Sequence, residues 1–398
     1  MRISNNQIAN RMATEMMHRQ IEIAKSQEQI TTGKRINRPS DDPAFAGQLL
    51  GLNEAKSQLE QYERNAITAE SRLALEETAI AAVTETLMRL RELTLTANSG
   101  PVDDATRSAI AAEIVQRTDE LYDSANSRDA NGDYLFSGSN SSVKPFHRQV
   151  PVVYAGSEDN NNLPIGLGRE IQLGDSGAEV FQRIRNGNGV FQTSSSPTNT
   201  GTAIVSAGEV TDVSAYSQSQ YEVVFTSPTT YDVTNTDSGA VIISGASYES
   251  GNSIEFDGIS IDITGLANNG DSYVIRPSDN QDIFSMVNDF AQAMQNNPIS
   301  EADKALQQQN INSILVNLDQ ALSHLNDKRS LVGARLNTLD SARNENEAVN
   351  LQLSRTTADI EDADITETVI QLQTNLTSLE TLQKSYARIE NMSLFNFL

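Results

Sequence analysis

Apolar positions repeat with a helical period at both ends of the chain and with a period of two in its middle. Ala9, Met12, Met16, Ile23 and Ile30 fall at alternating spacings of three and four once the polar members Arg19 and Ser26 are counted. This predicts one amphipathic helix ending near Thr31–Gly33. The stretch NRPSDDPAF is then a break followed by a start, with Asp42 placed to cap orphan amides and Pro43 at the first helical position. A heptad register follows. Its a positions are Phe45, Leu52, Leu59, Ala66, Leu73, Ile80, Leu87 and Thr94. Its d positions are Gln48, Ala55, Tyr62, Ala69, Glu76, Val83, Leu90 and Ala97. No Pro or Gly interrupts residues 52–98. A helix from Phe45 to Asn98 would be ~80 Å long at 1.5 Å per residue, which predicts a rod-like module. After SGPVDD a return helix is expected with Ile110, Ile114 and Leu121 inward, ending near Asn126.

The middle differs. Fifteen of the 22 glycines lie between residues 145 and 280. Short β-branched and aromatic runs occur there: YEVVF (221–225), YDV (231–233), VII (241–243), IEF (254–256) and ISIDI (259–263). Asp257-Gly258 between two of them signals a tight hairpin, because both turn positions need positive φ. Residues 186–201 read as an exposed loop. The last flank returns to a heptad, with Ile311, Leu318, Leu325, Val332, Leu339, Asn346, Leu353 and Ile360 at d. Position a adds Leu315, Leu322 and Leu336, but also Arg329, Arg343 and Asn350. EDAD (361–364) interrupts this pattern. A final amphipathic stretch carries Ile365, Val369, Leu372, Leu376, Leu379 and Tyr386, and ends in SLFNFL with Leu394, Phe395 and Phe397. Long end helices bury their stripes most simply against each other, so the two termini are expected to lie together.

Composition narrows the chemistry. Among 398 residues, 29 Lys and Arg face 53 Asp and Glu, a formal charge of −24. Such a surface repels phosphate backbones and anionic lipid, so neither nucleic acid nor a membrane is an expected partner. Without Cys, disulfide scaffolds, thiol catalysis and Cys-based zinc sites are excluded. No run approaches a membrane span, and MRISNNQIAN has no apolar signal region. DANGD (129–133) begins like a calcium loop, but Tyr134 and Asn140 stand where Gly and Glu are needed, so a glycine turn is expected. TTGKRIN (31–37) lacks the first Gly and the final Ser or Thr of a phosphate loop, leaving Gly33 as a helix stop. His18, His147 and His324 lie in three different zones, which argues against a His-based triad or metal site. No cofactor, metal or catalytic residue is expected.

The residues at both ends resemble a bacterial flagellar family, the flagellins and hook-associated proteins. The resemblance is carried by MRISNNQI and ITTGKRINRPSDDPAFAG, with Gly33, Lys34, Arg35, Ser40, Asp41, Asp42 and Pro43. It continues in DANGDYLFSG, with Asn131, Gly132, Tyr134, Phe136 and Gly138, and in the re-entering segment IEFDGISIDITG…GDSYVIRPSDNQDIF. It ends in DIEDADITETVIQLQTNLTSLETLQKSYARIENMSLFNFL. PSDDP and the SLFNFL ending are closer to the hook–filament junction branch than to flagellin. Residues 186–250 carry no such likeness.

The resemblance implies an α+β fold: an elongated, flagellin-like rod of long, coiled-coil-like N- and C-terminal helices with an inserted β-rich domain. The corresponding segments are 1–44 (inner-tube helix), 45–140 (heptad and return helices), 141–280 (β-rich insert), 281–360 (C-terminal rod helices) and 361–398 (second inner-tube helix). It implies a structural role without catalysis, at the junction outside the cell after flagellar type III export. The implied partners are hook-associated protein 1, flagellin, the cap protein, an export chaperone and further copies of the chain in a ring. Flagellin itself is the alternative, and an extracellular glycan-binding or hydrolytic β module a more distant one. Met12, Met16, Ile23 and Ile30 at one end, with the apolar residues from Ile365 to Phe397 at the other, are the expected assembly surface. Segments 1–44 and 361–398 are expected to be disordered in the monomer and to fold on docking.

Overall fold

The computed structural model of the chain describes residues 5–99, 103–149 and 151–395, with side chains from Gln7 to Ile389 within those spans. Its helices are α1 (Asn5–Thr32), α2 (Pro43–Asn98), α3 (Asp104–Ala125), α4 (Ile283–Gln295), α5 (Glu301–Glu361) and α6 (Ile365–Phe395). The strands all lie between α3 and α4. The chain divides into two units, one of residues 1–64 and 341–398, the other of residues 65–340.

The heptads become helices with the expected inward faces. Every a and d position of α2 from Tyr62 to Ala97 is buried, including Glu76 and Thr94. Thr94 satisfies its hydroxyl on the Leu90 carbonyl at 2.8 Å, so a polar residue sits in the seam without an orphan group. The first heptads are more open: Phe45 and Gln48 are exposed, and Leu52, Ala55 and Leu59 half-buried. In α5 the d series is buried at Ile311, Leu318, Leu325, Val332, Leu339, Asn346 and Ile360, with Leu353 half-buried. Its charged a positions reach α2 instead: Arg329 pairs with Glu77, and Arg343 with Glu63, each at 2.7 Å.

In the 65–340 unit, Ile80, Val83, Leu87 and Leu90 of α2 share a core with Ile110, Ile114 and Leu121 of α3, Phe284 and Val287 of α4, and Leu318 and Leu325 of α5. Asp103 caps α3 through the Thr106 amide, and Asn126 ends it. Tyr122 stacks on Phe284 at 4.4 Å, and Phe136, Phe146 and Phe181 meet edge to face around them.

The strands are β1 (Asn162–Gly166) and β2 (Arg169–Gln172), which form a two-stranded arm, then β3 (Ile184–Arg185), β4 (Phe191–Ser195), β5 (Ile204–Val205) and β6 (Glu209–Val210). They continue with β7 (Tyr221–Ser227), β8 (Thr230–Asn235), β9 (Ala240–Ser247), β10 (Ser253–Phe256), β11 (Ile259–Thr264), β12 (Ser272–Pro277) and β13 (Asn280–Gln281). One antiparallel sheet has the order β4-β12-β7-β8-β9; a second is β10-β11-β5, with β6 also pairing β11. They share one core of Phe191, Tyr221, Phe225, Phe256, Ile259 and Tyr273, the inward members of alternating strands. Asp257 (φ 43°) and Gly258 (φ 76°) form the predicted two-residue hairpin between β10 and β11.

Two expectations are corrected. Residues 186–201 are not an exposed loop: β4 lies within them, with Phe191 fully buried and Thr193 nearly so. The polar residues alternate outward around these two, and the preceding NGNG is the turn, its Asn188 side chain accepting the Val190 and Phe191 amides. The described residues of segments 1–44 and 361–398 are also not disordered. Both α1 and α6 are formed and pack along each other, because each supplies the apolar half-seam that the other lacks.

Candidate assembly interface

The α1–α6 pair is thinly packed. Ile23 is buried, while Met12, Met16 and Ile30 are half-buried. On α6, Leu372, Leu379 and Tyr386 are half-buried, and Ile365, Val369 and Leu376 remain exposed at 45%, 42% and 47%. Met17 and Ile21 (66% each) and Ile370 (61%) add to the uncovered apolar surface. Arg19 donates across the pair to Asn375 at 3.0 Å. Leu394 and Phe395 are described only as α6 backbone, and Phe397 lies outside the described residues.

The motif after α1 is a clasp. Gly33 takes φ 73°, ends α1 by donating to the Gln29 carbonyl, and accepts the Ala363 amide at 2.9 Å. Lys34 pairs as a short antiparallel bridge with Asp362 and reaches Glu361 at 2.7 Å. The Arg35 amide donates to the Glu361 carbonyl at 2.6 Å, and its guanidinium donates to the Ile360 carbonyl at 2.8 Å. That guanidinium also contacts Asp42 at 3.3 Å and lies over the Phe45 ring. Ile36, Leu49 and Ile360 close a small apolar cluster beneath. The Asp41 carboxylate accepts the Arg38 and Asn37 amides, and these bonds, Arg38's first, hold it below the usual carboxylate range. Ser40 is exposed in this turn. Asp42 accepts the Phe45 and Ala46 amides as the cap of α2, which starts at Pro43 as expected. The other strand of the clasp ends on Asp364, whose carboxylate accepts the Thr366 and Glu367 amides and starts α6. The α1–α2 turn and the EDAD break therefore fix one another.

The second motif is a plug. Asp129 accepts the Asn131 and Asp133 amides on one oxygen, and the other stands 3.7 Å from Arg72. The DANGD carboxylate is thus engaged in a glycine turn, with Gly132 at φ 89°. Arg72 donates to the Tyr134 and Leu135 carbonyls at 3.0 and 3.2 Å, pinning the turn to α2. Arg128 lies over the Tyr134 ring at 4.2 Å. Phe136 is wholly buried against Phe181. Gly138 (φ 63°) passes so close to Ser157 that a Cβ would lie 1.9 Å from its carbonyl oxygen. Among the described residues, no cluster of metal-ligating side chains occurs, and no helix is long and apolar enough to cross a membrane.

Comparison with known proteins places these features. Three family models match in chain order: the bacterial flagellin N-terminal helical region (3–141), a D2-like domain of flagellar hook-associated protein 1 (194–277) and the flagellin C-terminal helical region (315–398). A solved flagellar hook-associated protein-3 from Legionella pneumophila is 31% identical with a TM-score of 0.75, covering 78% of this chain and 98% of that one. The chain belongs to the flagellar hook-associated protein 3 family. A solved FlgL from Xanthomonas campestris is 29% identical with a TM-score of 0.72, covering 77% of this chain and all of that one (100%). Flagellar hook-associated protein 3 of Salmonella typhimurium is 33% identical over 184 residues, 46% of this chain and 58% of that protein. The chain thus matches a little over half the length of that curated relative. The motif residues 33–43 and 131–138 fall in the matched N-terminal region, and the 361–364 side of the clasp in the matched C-terminal one. The β-rich insert, whose residues 186–250 carry no family motif of their own, is matched over 194–277.

Proposed function

We propose that this protein is a non-catalytic structural subunit of the bacterial flagellum that couples hook-associated protein 1 to the flagellin filament. The observation that carries the proposal is the α1–α6 pair: two formed helices, packed on each other, that leave Met17, Ile21, Val369, Ile370 and Leu376 uncovered. Single exposed apolar residues are ordinary, but an exposed apolar stripe on a helix pair marks an association surface. Neighbouring copies and the two flanking proteins complete this seam, with head-to-tail contacts building a ring. The expected surface comprises Met12, Met16, Ile23 and Ile30 of α1 together with the apolar residues from Ile365 to Phe397. Assembly therefore completes a half-covered helix pair. Segments 1–44 and 361–398 act as the inner-tube elements, and the cap protein and an export chaperone act before the seam is closed.

The flagellin reading draws on the two flagellin helical-region matches at the ends. The D2-like match in the middle and the identity of the solved relatives favour the junction. Deleting the gene is expected to leave hooks without filaments and flagellin in the medium, with antibody label on wild-type flagella confined to the hook–filament boundary. Normal filaments on the deletion strain, or label along the whole filament, would overturn the proposal.

A further inference from the structure

Glu76 occupies a d position in the middle of α2 and is 1% exposed. One carboxyl oxygen accepts the Asp175 amide at 2.9 Å; the other has no hydrogen-bond partner. Asp175, equally buried, receives Arg335 at 2.8 Å and Gln172 at 3.0 Å on Oδ1, while its Oδ2 has none. Among the described residues, Arg335 of α5 is the one guanidinium bound to this pair. Arg72, on the same helix as Glu76, also faces it, but is engaged by the Tyr134 and Leu135 carbonyls and by Asp129. Gly174 closes over the free Glu76 oxygen so tightly that a Cβ there would lie 3.0 Å from it. Neither guanidinium hydrogen-bonds Glu76, and two adjacent buried carboxyls, each with one unpartnered oxygen, cannot both stay ionised at low cost.

We infer that Glu76 is protonated in the folded protein and that this proton latches the Leu173–Gly177 turn onto α2 and α5. The turn matters because it follows the β1–β2 arm and hands the chain to the aromatic cluster, where the Gly177 amide donates to the Phe136 carbonyl at 2.8 Å. Protonating Glu76 removes one of two facing negative charges and the cost of a charged, unpartnered oxygen, while its other oxygen goes on accepting the Asp175 amide. Burial, and then the Asp175 charge, raise the Glu76 carboxyl from its ordinary 4.5 to about 8. The folded chain thus keeps a proton that the unfolded chain releases. Stability from this group is complete below the ordinary carboxyl range, falls as pH rises through it to about 8, and is flat above.

The test uses the full chain and its Glu76→Gln variant, since Gln imitates the protonated acid in both acceptor and donor. Relative to the variant, the folded-to-unfolded ratio of the native protein is expected to fall by about tenfold per pH unit between pH ~5 and ~8. Hydrogen exchange at the Asp175 and Gly177 amides should quicken between pH ~5 and ~8 more in the native protein than in the variant. The Glu76 carboxyl carbon should titrate near pH 8 by NMR, and Asp175→Asn should lower that midpoint by a unit or more. A Glu76 midpoint near 4.5, identical pH slopes for the two proteins, or a Gln variant that fails to fold would each overturn the inference.

Discussion

Gly132 and Gly138 lie six residues apart and both hold positive φ, at 89° and 63°, yet their surroundings differ. Around Gly132 nothing lies within 4 Å of an added Cβ, so alanine there meets only the left-handed backbone penalty, ~1–2 kcal/mol. At Gly138 the same change adds a backbone collision with Ser157. Gly132→Ala is therefore expected to cost about 1–2 kcal/mol and Gly138→Ala about 3 kcal/mol or more, read as shifts of the urea midpoint at constant slope. Equal losses would show that the turn relaxes around Gly138. Other residues of the two motifs also act through the backbone: Arg35 and Arg72 bind carbonyls, and Asp41, Asp42 and Asp129 bind amides. Lys34 and Arg128 add an ion pair and a ring contact to these.

Among the elements, α2 and α5 join by an apolar seam and by exposed ion pairs, and the two contribute unequally. Leu87 is fully buried in the seam, and Leu87→Ala is expected to cost about 2–5 kcal/mol. Arg91 pairs with Asp319 at 2.6 Å, but both side chains are more than a third exposed, so Arg91→Ala should cost under ~1 kcal/mol. Chemical denaturation of both variants checks the ranking, and a larger loss at Arg91 would contradict it. The seam was legible from the sequence because apolar heptads announce themselves, down to the caps at Asp42 and Pro43. β4 was not, since only Phe191 and Thr193 face inward and the rest of FQTSS resembles loop composition. The clasp was legible as a motif but not as a contact: nothing local in TTGKRI shows that its partner is EDAD, over three hundred residues away. Glu76 was visible only as a polar residue in a d position. Its partners Asp175 and Arg335 arrive from other elements, and only the fold brings them together.

For the whole molecule, the decisive question is what the terminal helices support. The unit of residues 65–340 holds the helical core and the β core, and among the described residues none of those cores' members comes from 361–398. The unit of residues 1–64 and 341–398 depends on α6, which covers the seam of α1, and on Ala363 and Asp362, which complete the clasp. An isolated helix of the length of α1, with a weak stripe, is marginal in water. A chain ending at Ile360 should therefore keep the cooperative melting and tyrosine dichroism of the 65–340 unit. Residues before Arg35 should become sensitive to protease, since Gly33, Lys34 and Arg35 lose their partners at 361–363. On a strain lacking the full chain, the truncated protein should fail to support filaments, although its two cores persist. Filaments grown on the truncated protein would mean that the seam between α1 and α6 is not the surface through which copies assemble.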